Sequence, residues 1–178
     1  MPDDRSYMVF TAVGADRPGL VNEISAAIHR AGANLEDSRM AILGGEFALI
    51  LLLSCPAQAV ERVKQFGGQL ESELHLRCIL KETRVPAAAG DYLPYTIRVT
   101  GVDRPGIVQA IAGILAARGV NLASLESRVS YAPLSGTPMF VLAADLQVPS
   151  KLDLSAQRSE IAARCEAENL DFTLESKG

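Results

Sequence analysis

"GADRPGLV", Gly14 to Val21, returns as "GVDRPGIV", Gly101 to Val108, eighty-seven residues later in a chain of 178. A charged stretch holding both proline and glycine is unfavourable inside a helix or strand, so each copy marks a junction between elements. Working outward, Gly14–Leu35 aligns with Gly101–Leu122 without a gap, with ten identities in twenty-two positions. Two extra residues in the second copy then set the "SR" at Ser38 on the "SR" at Ser127. Four more in the next turn set Phe47 on Phe140 and Pro56 on Pro149. The chain is an internal duplication, and the insertions belong in turns.

Each copy carries the same periodicities. "YMVFTAV" and "YTIRVTG" read as strands, with Met8, Phe10 and Ala12, or Tyr95, Ile97 and Val99, on one side. A helix follows, its stripe formed by Leu20, Ile24, Ala27, Ile28 and Ala31, or by Ile107, Ile111, Ile114 and Leu115. Gly32 and Gly119 stand where a helix stops in the left-handed conformation. Two strands joined by a turn end in "FALILLLS" and "MFVLAADL". Pro56 then opens a second helix with Val60, Val63 and Phe66, matched by Ile161 and Cys165. A last strand alternates Leu74, Leu76, Cys78 and Leu80, or Leu170, Phe172 and Leu174. The order is βαββαβ, an α+β fold with two helices on one face of a four-stranded antiparallel sheet. The pattern predicts one domain over residues 1–83, a linker over 84–93 and a second domain over 94–178. In the first copy "YMVFTAV" and "FALILLL" are apolar on both sides, so the second face of that sheet is expected to be covered by the other copy or by another chain.

Composition narrows the function. The net charge is −4 with no run of Lys or Arg, which argues against direct binding to nucleic acid. Cys55, Cys78 and Cys165 form no C-x-x-C pair and read as reduced thiols of a cytoplasmic protein. The longest apolar run falls far short of the ~20 residues of a membrane helix, and "MPDDRSY" has no signal-peptide pattern. No nucleophile-elbow, Walker or dinucleotide motif is present. His29 and His75 have no Cys, Asp or Glu at ligand spacing, so neither a metal nor a catalytic centre is expected. Glu36, Asp37 and Arg39 of "NLEDSR" alternate on a strand and suit cross-strand ion pairs.

The repeated loop sits where a strand ends and a helix begins. Pro18 pre-sets the first turn and Gly19 admits a close approach to the backbone. Free N–H groups and the helix dipole favour an anionic group there. Asn34 opens the next strand, where it is expected to lie close to the same loop and offers an amide, and Asp16 offers a carboxylate for an ammonium. A zwitterion suits this set; equally, Asp16 caps the helix and Asn34 ties down a turn.

The sequence "DRPGLV", the "GANL" after the helix and the βαββαβ order resemble an ACT domain in both copies. More narrowly, "GADRPGLVNEI" with "GANLEDSRMAILGGEFALILLLS" resembles the glycine cleavage system transcriptional repressor family of tandem ACT proteins. The resemblance implies a non-enzymatic, ligand-responsive transcriptional repressor that acts by binding another regulator, a LysR-type activator, with glycine or serine as the small amino acid sensed. The alternative it allows is a free-standing amino-acid-sensing subunit of a metabolic enzyme. It implies no cofactor, no membrane and no direct nucleic-acid contact, and it is compatible with a homodimer. The implied ligand residues are Asp16, Arg17, Pro18, Gly19, Leu20 and Asn34, with Asp103, Arg104, Pro105, Gly106, Ile107 and Asn121 in the second copy. Amino-acid-binding ACT domains often carry Asn at the position of Asp16 and Asp103, where this chain departs; Asn34 and Asn121 match.

Overall fold

A computed structural model describes residues 5–84 and 91–177. The chain forms two compact units, Met1–Pro86 and Ala87–Gly178. Unit 1 runs β1 (Arg5–Ala15), α1 (Leu20–Ala31), β2 (Asn34–Leu43), β3 (Glu46–Pro56), α2 (Val60–Leu74) and β4 (Arg77–Thr83). Unit 2 repeats the order as β5 (Tyr92–Val102), α3 (Ile107–Ala117), β6 (Asn121–Tyr131), β7 (Pro138–Pro149), α4 (Leu154–Ala167) and β8 (Leu170–Ser176). The sheets have strand orders β2-β3-β1-β4 and β6-β7-β5-β8, and every pairing is antiparallel. This is the ferredoxin-like arrangement read from the repeat. β5 already pairs Tyr92 and Leu93 with Pro149 and Val148, inside the stretch read as linker; residues 85–90 lie outside the described residues.

The first core forms between the helices and one face of the first sheet. Met8, Phe10 and Ala12 of β1 and Leu49, Leu51 and Leu53 of β3 are buried with Ile24 and Ile28 of α1 and Val63 and Phe66 of α2. The Phe10 and Phe66 rings lie 5.1 Å apart between centroids. In unit 2 Ile97, Val99, Leu142 and Ala144 meet Ile111, Leu115 and Ile161. One position breaks the apolar pattern. Gln157 of α4 is 2% exposed, and neither its amide nitrogen nor its oxygen has a hydrogen-bond partner.

Strand registers correct the alignment of the two copies. Ser38 pairs with Leu51 and Phe10 with Leu51, while Leu125 pairs with Ala144 and Ile97 with Ala144. Ser38 therefore corresponds to Leu125, not to Ser127. Both β2 and β6 carry a bulge, at Leu35/Asp37 and at Leu122/Ser124, so the copies stay in step through it. All six extra residues fall in the second hairpin: one further strand pair, Tyr131 with Pro138, and four more residues in the turn, Ala132 to Thr137, where unit 1 has only Gly44-Gly45. A two-residue "SR" match is too short to outweigh a continuous ladder.

Three local readings also shift. Leu74 ends α2 rather than opening β4, because His75 turns the chain in the left-handed conformation at φ 56°; Asn169 does the same in unit 2 at φ 50°. Asn and His tolerate this region better than most residues. His75 is thus a helix stop and not a strand residue. Pro18 lies in the turn ahead of α1, and Pro56 precedes a single 3-10 turn, Ala57–Ala59, ahead of α2.

Candidate functional site

The loop after β1 is held by the turn of a neighbouring hairpin. The Asp16 N–H donates to the Gly45 carbonyl at 3.1 Å, and in unit 2 the Asp103 N–H donates to the Pro138 carbonyl at 2.9 Å. Gly19 and Gly106 follow at φ 95° and 94°, where a side chain is strained. Their carbonyls accept the first helical bonds, from Glu23 at 3.0 Å and Ala110 at 2.9 Å. Neither helix has a side-chain cap, so Asp16 and Asp103 do not serve as caps. Gly14 and Gly101 are needed for closeness. A Cβ at Gly14 would meet the Leu76 side chain and the His75 carbonyl, and one at Gly101 would press still harder on Leu170 and the Asn169 carbonyl. Much of the repeated motif thus serves the corner where β1 and α1 meet the end of α2.

The arginines of the two motifs part company. Arg17 makes a two-pronged contact with Glu23 of α1, at 2.6 and 2.7 Å. Hydrogen bonding to Arg17 holds the Glu23 carboxyl below the usual carboxylate range, and the same bond pushes the Arg17 guanidinium up. Arg104 instead crosses to the end of α4, where it meets the Glu168 carboxylate and carbonyl; Arg164 reaches the same carboxylate at 2.6 Å. By register, the position of Glu23 is Ala110 in unit 2, and the position of Glu168 is Leu74 in unit 1. Both arginines are committed to carboxylates of their own unit.

Asn34 and Asn121 are not beside the loops of their own units. Asn34 pairs with Ser54 and Ser54 with Tyr7, whereas the loop leaves β1 after Ala15. Eight strand residues separate Tyr7 from Ala15, about 26 Å. The physical reason is the helix between them: α1 carries the chain back to the opposite end of the sheet before β2 begins. There the Asn34 amide donates to Glu36 at 3.0 Å, and Glu36 also accepts from the Ser54 hydroxyl. Ser54 and Asn34 together hold the Glu36 carboxyl below its usual range. Asn121 donates to Gln147 at 2.8 Å. Of the "NLEDSR" carboxylates, Glu36 makes the expected ion pair across strands, with Arg5 of β1 at 3.7 Å, whereas Asp37 pairs with Arg39 at 2.6 Å on its own strand.

Each loop opens on a shallow hollow. In unit 1 it measures about 440 Å³, with Asp16, Gly19 and Val21 on one side and Met40 and Phe47 of the adjacent hairpin on the other. Met40 and Phe47 are site residues that sequence reasoning missed; the signal available was their apolar character next to a turn that the loop must touch. In unit 2 a groove of about 520 Å³ runs between α3 and α4, with Arg104, Gly106, Ala110 and Arg164 in its lining. The first hollow offers helix N–H groups and an apolar wall; the second offers Arg104 and Arg164, both engaged by Glu168, with Glu160 and small residues beside them. No group of three metal-ligating side chains occurs among the described residues. His29 and His75 are both exposed. Cys55, Cys78 and Cys165 are free thiols; burial, with the Glu71 carboxylate nearby, pushes Cys78 up to about 11. No helix among the described residues is long and apolar enough to cross a membrane.

Comparison with known proteins matches residues 6–77 to one ACT domain model and residues 95–153 to another. The glycine cleavage system transcriptional repressor of Escherichia coli (strain K12) is 31% identical over 163 residues, covering 89% of this chain and 84% of that protein. A crystal structure of a protein of unknown role from Galdieria sulphuraria superposes with a TM-score of 0.85 at 30% identity, covering 98% of this chain and 99% of that one. A structure described as a candidate glycine cleavage system transcriptional repressor gives a TM-score of 0.73 at 29% identity, with 96% of each chain covered.

Proposed function

Because the chain belongs to the tandem ACT-domain family of the glycine cleavage system transcriptional repressor, we propose that it is a cytoplasmic regulatory protein, not an enzyme, that represses genes of glycine and one-carbon metabolism by binding another regulator. The observation that carries this reading is the 31% identity that extends through both copies and across 84% of the repressor's length. The acidic balance, net −4, supports control through a protein rather than by direct contact with DNA. A LysR-type activator is the partner proposed, and glycine or serine the signal.

The signal is proposed to enter at the loops, Asp16–Leu20 and Asp103–Ile107. A carboxylate would take the helix N–H groups, and Asp16 or Asp103 the ammonium. Glycine at 100 times its dissociation constant would stabilise the protein by ~2.7 kcal/mol, a rise in melting temperature of roughly 5–10 °C. The deciding experiment pairs a gel shift with a pull-down. The purified protein should leave promoter DNA unshifted at physiological salt, yet be recovered with the purified activator, less so with glycine present. Specific retardation of the promoter by this protein alone would overturn the reading.

A further inference from the structure

The two sheets differ on the face turned away from their helices. In unit 1 that face carries Val9, Thr11 and Val13 of β1, with Ile50 and Leu52 of β3 and Ile79 of β4 beside them. Ile79 is 68% exposed, Ile50 46% and Val13 42%, so the face is both apolar and open. At the matching positions unit 2 has Thr96, Arg98 and Thr100 on β5, with Ala143 and Asp145 on β7 and Thr173 on β8. At three positions around these faces the charge is inverted. Arg39, Arg77 and Lys81 in unit 1 correspond to Glu126, Asp171 and Glu175 in unit 2. Among the described residues Arg77, Lys81, Glu126, Asp171 and Glu175 take part in none of the chain's ion pairs.

We infer that the outer face of unit 1 docks on the outer face of unit 2 from a second copy of this chain, reciprocally, to form a head-to-tail dimer. Sheets stack face to face about 10 Å apart with their strands nearly aligned. Stack the two faces with strands antiparallel, β2 over β6 and β4 over β8. The registers then set Arg39 against Glu126, Lys81 against Asp171, Arg77 against Glu175 and Asp37 against Arg128. Between these four pairs Leu52 meets Val141, Ile50 meets Ala143 and Ile79 meets Thr173. No like charges oppose; of the remaining charged groups on the unit 2 face, Asp145 is already held by Lys177 at 2.9 Å, and Arg98 lies opposite Thr11, whose hydroxyl can accept from it. Two unit 1 faces stacked in the same orientation would set Arg39 on Arg39 and Lys81 on Arg77. A four-stranded face measures about 19 Å by 20 Å, so two faces per chain cover about 800 Å² per partner, the usual size of a stable interface. This dimer goes beyond the proposed regulatory role and does not depend on it.

The test uses two full-length variants, R77E/K81E and D171K/E175K, with mass measured by light scattering during size-exclusion chromatography. Circular dichroism confirms that each remains folded. The wild type should be a dimer. Each variant alone sets like charges together in both contacts and should lose dimer affinity by roughly 100-fold or more. Mixed in equal amounts, the two variants restore opposite charges in both contacts, and the dimer should return. A wild-type monomer would overturn the inference, as would either variant remaining dimeric alone, which would place the contact on another surface. Variants that are monomeric alone and stay monomeric when mixed would overturn it as well, since a stack within one chain cannot be rescued from another.

Discussion

Arg17 and Arg104 stand in the same motif, on the same turn, before helices that start from glycines at φ 95° and 94°, yet they hold different partners. Arg17 closes on Glu23 within its own strand–turn–helix segment; Arg104 reaches the end of α4, far along the chain. Each loop has a carboxylate where the other unit has an apolar residue: Glu23 against Ala110, Glu168 against Leu74. The lesson is that duplication preserved what the backbone requires, the two glycines and the turn, while the partner of the charge was free to move. The hollows beside the loops differ accordingly. The α3–α4 groove holds Arg104 and Arg164 around the Glu168 carboxylate, whereas the hollow of unit 1 holds Arg17 beside Met40 and Phe47.

The comparison is broken most severely in the core. Val63 and Gln157 both stand twelve residues before the left-handed residue that ends the second helix, and both are buried. Val63→Gln would place an unpartnered amide where unit 1 has none, and a loss of about 3 kcal/mol is expected in urea denaturation. Gln157→Met should do the reverse and stabilise by about 1–2 kcal/mol, since two orphaned polar atoms are removed. A destabilising Gln157→Met would mean that the amide is satisfied in solution.

Next come the paired glycines behind the loops. Gly101→Ala should cost about 1–3 kcal/mol, and Gly14→Ala less, because the added methyl is pressed harder on Leu170 than on Leu76. Chemical denaturation of the two variants side by side gives the order. If Gly14→Ala proves the more damaging, the two corners are not built as described.

The smallest effects are expected at the arginines themselves. Arg104→Ala leaves Glu168, only 15% exposed, with Arg164 alone, and should cost up to about 1 kcal/mol. Arg17→Ala leaves Glu23 well solvated and should lower stability slightly at neutral pH and not at all in acid. Its signature is pH-dependent. Glu23 is held below its unfolded value, so its contribution is present above that unfolded value and is lost as pH falls through the lower folded one. Arg17→Ala should therefore narrow the gap between melting temperatures at neutral and acid pH, whereas an unchanged acid slope would show that the pair contributes nothing in solution.

Periodicity alone revealed most of the fold. Alternation in "YMVFTAV", the 3.6-residue stripe from Leu20 to Ala31 and the glycine at Gly32 are each consequences of local geometry, and each is legible over a few residues. The duplication made every such reading twice. His75 escaped because Leu74, Leu76, Cys78 and Leu80 alternate as a strand would, while only the left-handed turn at residue 75 separates helix from strand.

The candidate site was legible in part. The loops are where the motif placed them, but Gly19 and Gly106, read as admitting a close approach to the backbone, are there for their left-handed φ of 95° and 94°. Asn34 was misplaced relative to Asp16 because nearness in the order of elements is not nearness in space: a helix reverses the chain and delivers β2 at the far end of the sheet. Met40 and Phe47 came to the hollow through the β2–β3 hairpin, whose register follows from a bulge and a two-glycine turn.

By itself, then, the sequence determined the repeat, the βαββαβ order, the inward stripes and the glycines at the two corners, since each depends on a residue's own conformational limits or on a short period. Only the tertiary structure decided which carboxylate each arginine holds, which end of the sheet receives the asparagine and how the two outer faces compare charge by charge. Those are relations between strands and helices distant in the chain, and they exist only once hydrogen-bonded registers have set one residue beside another.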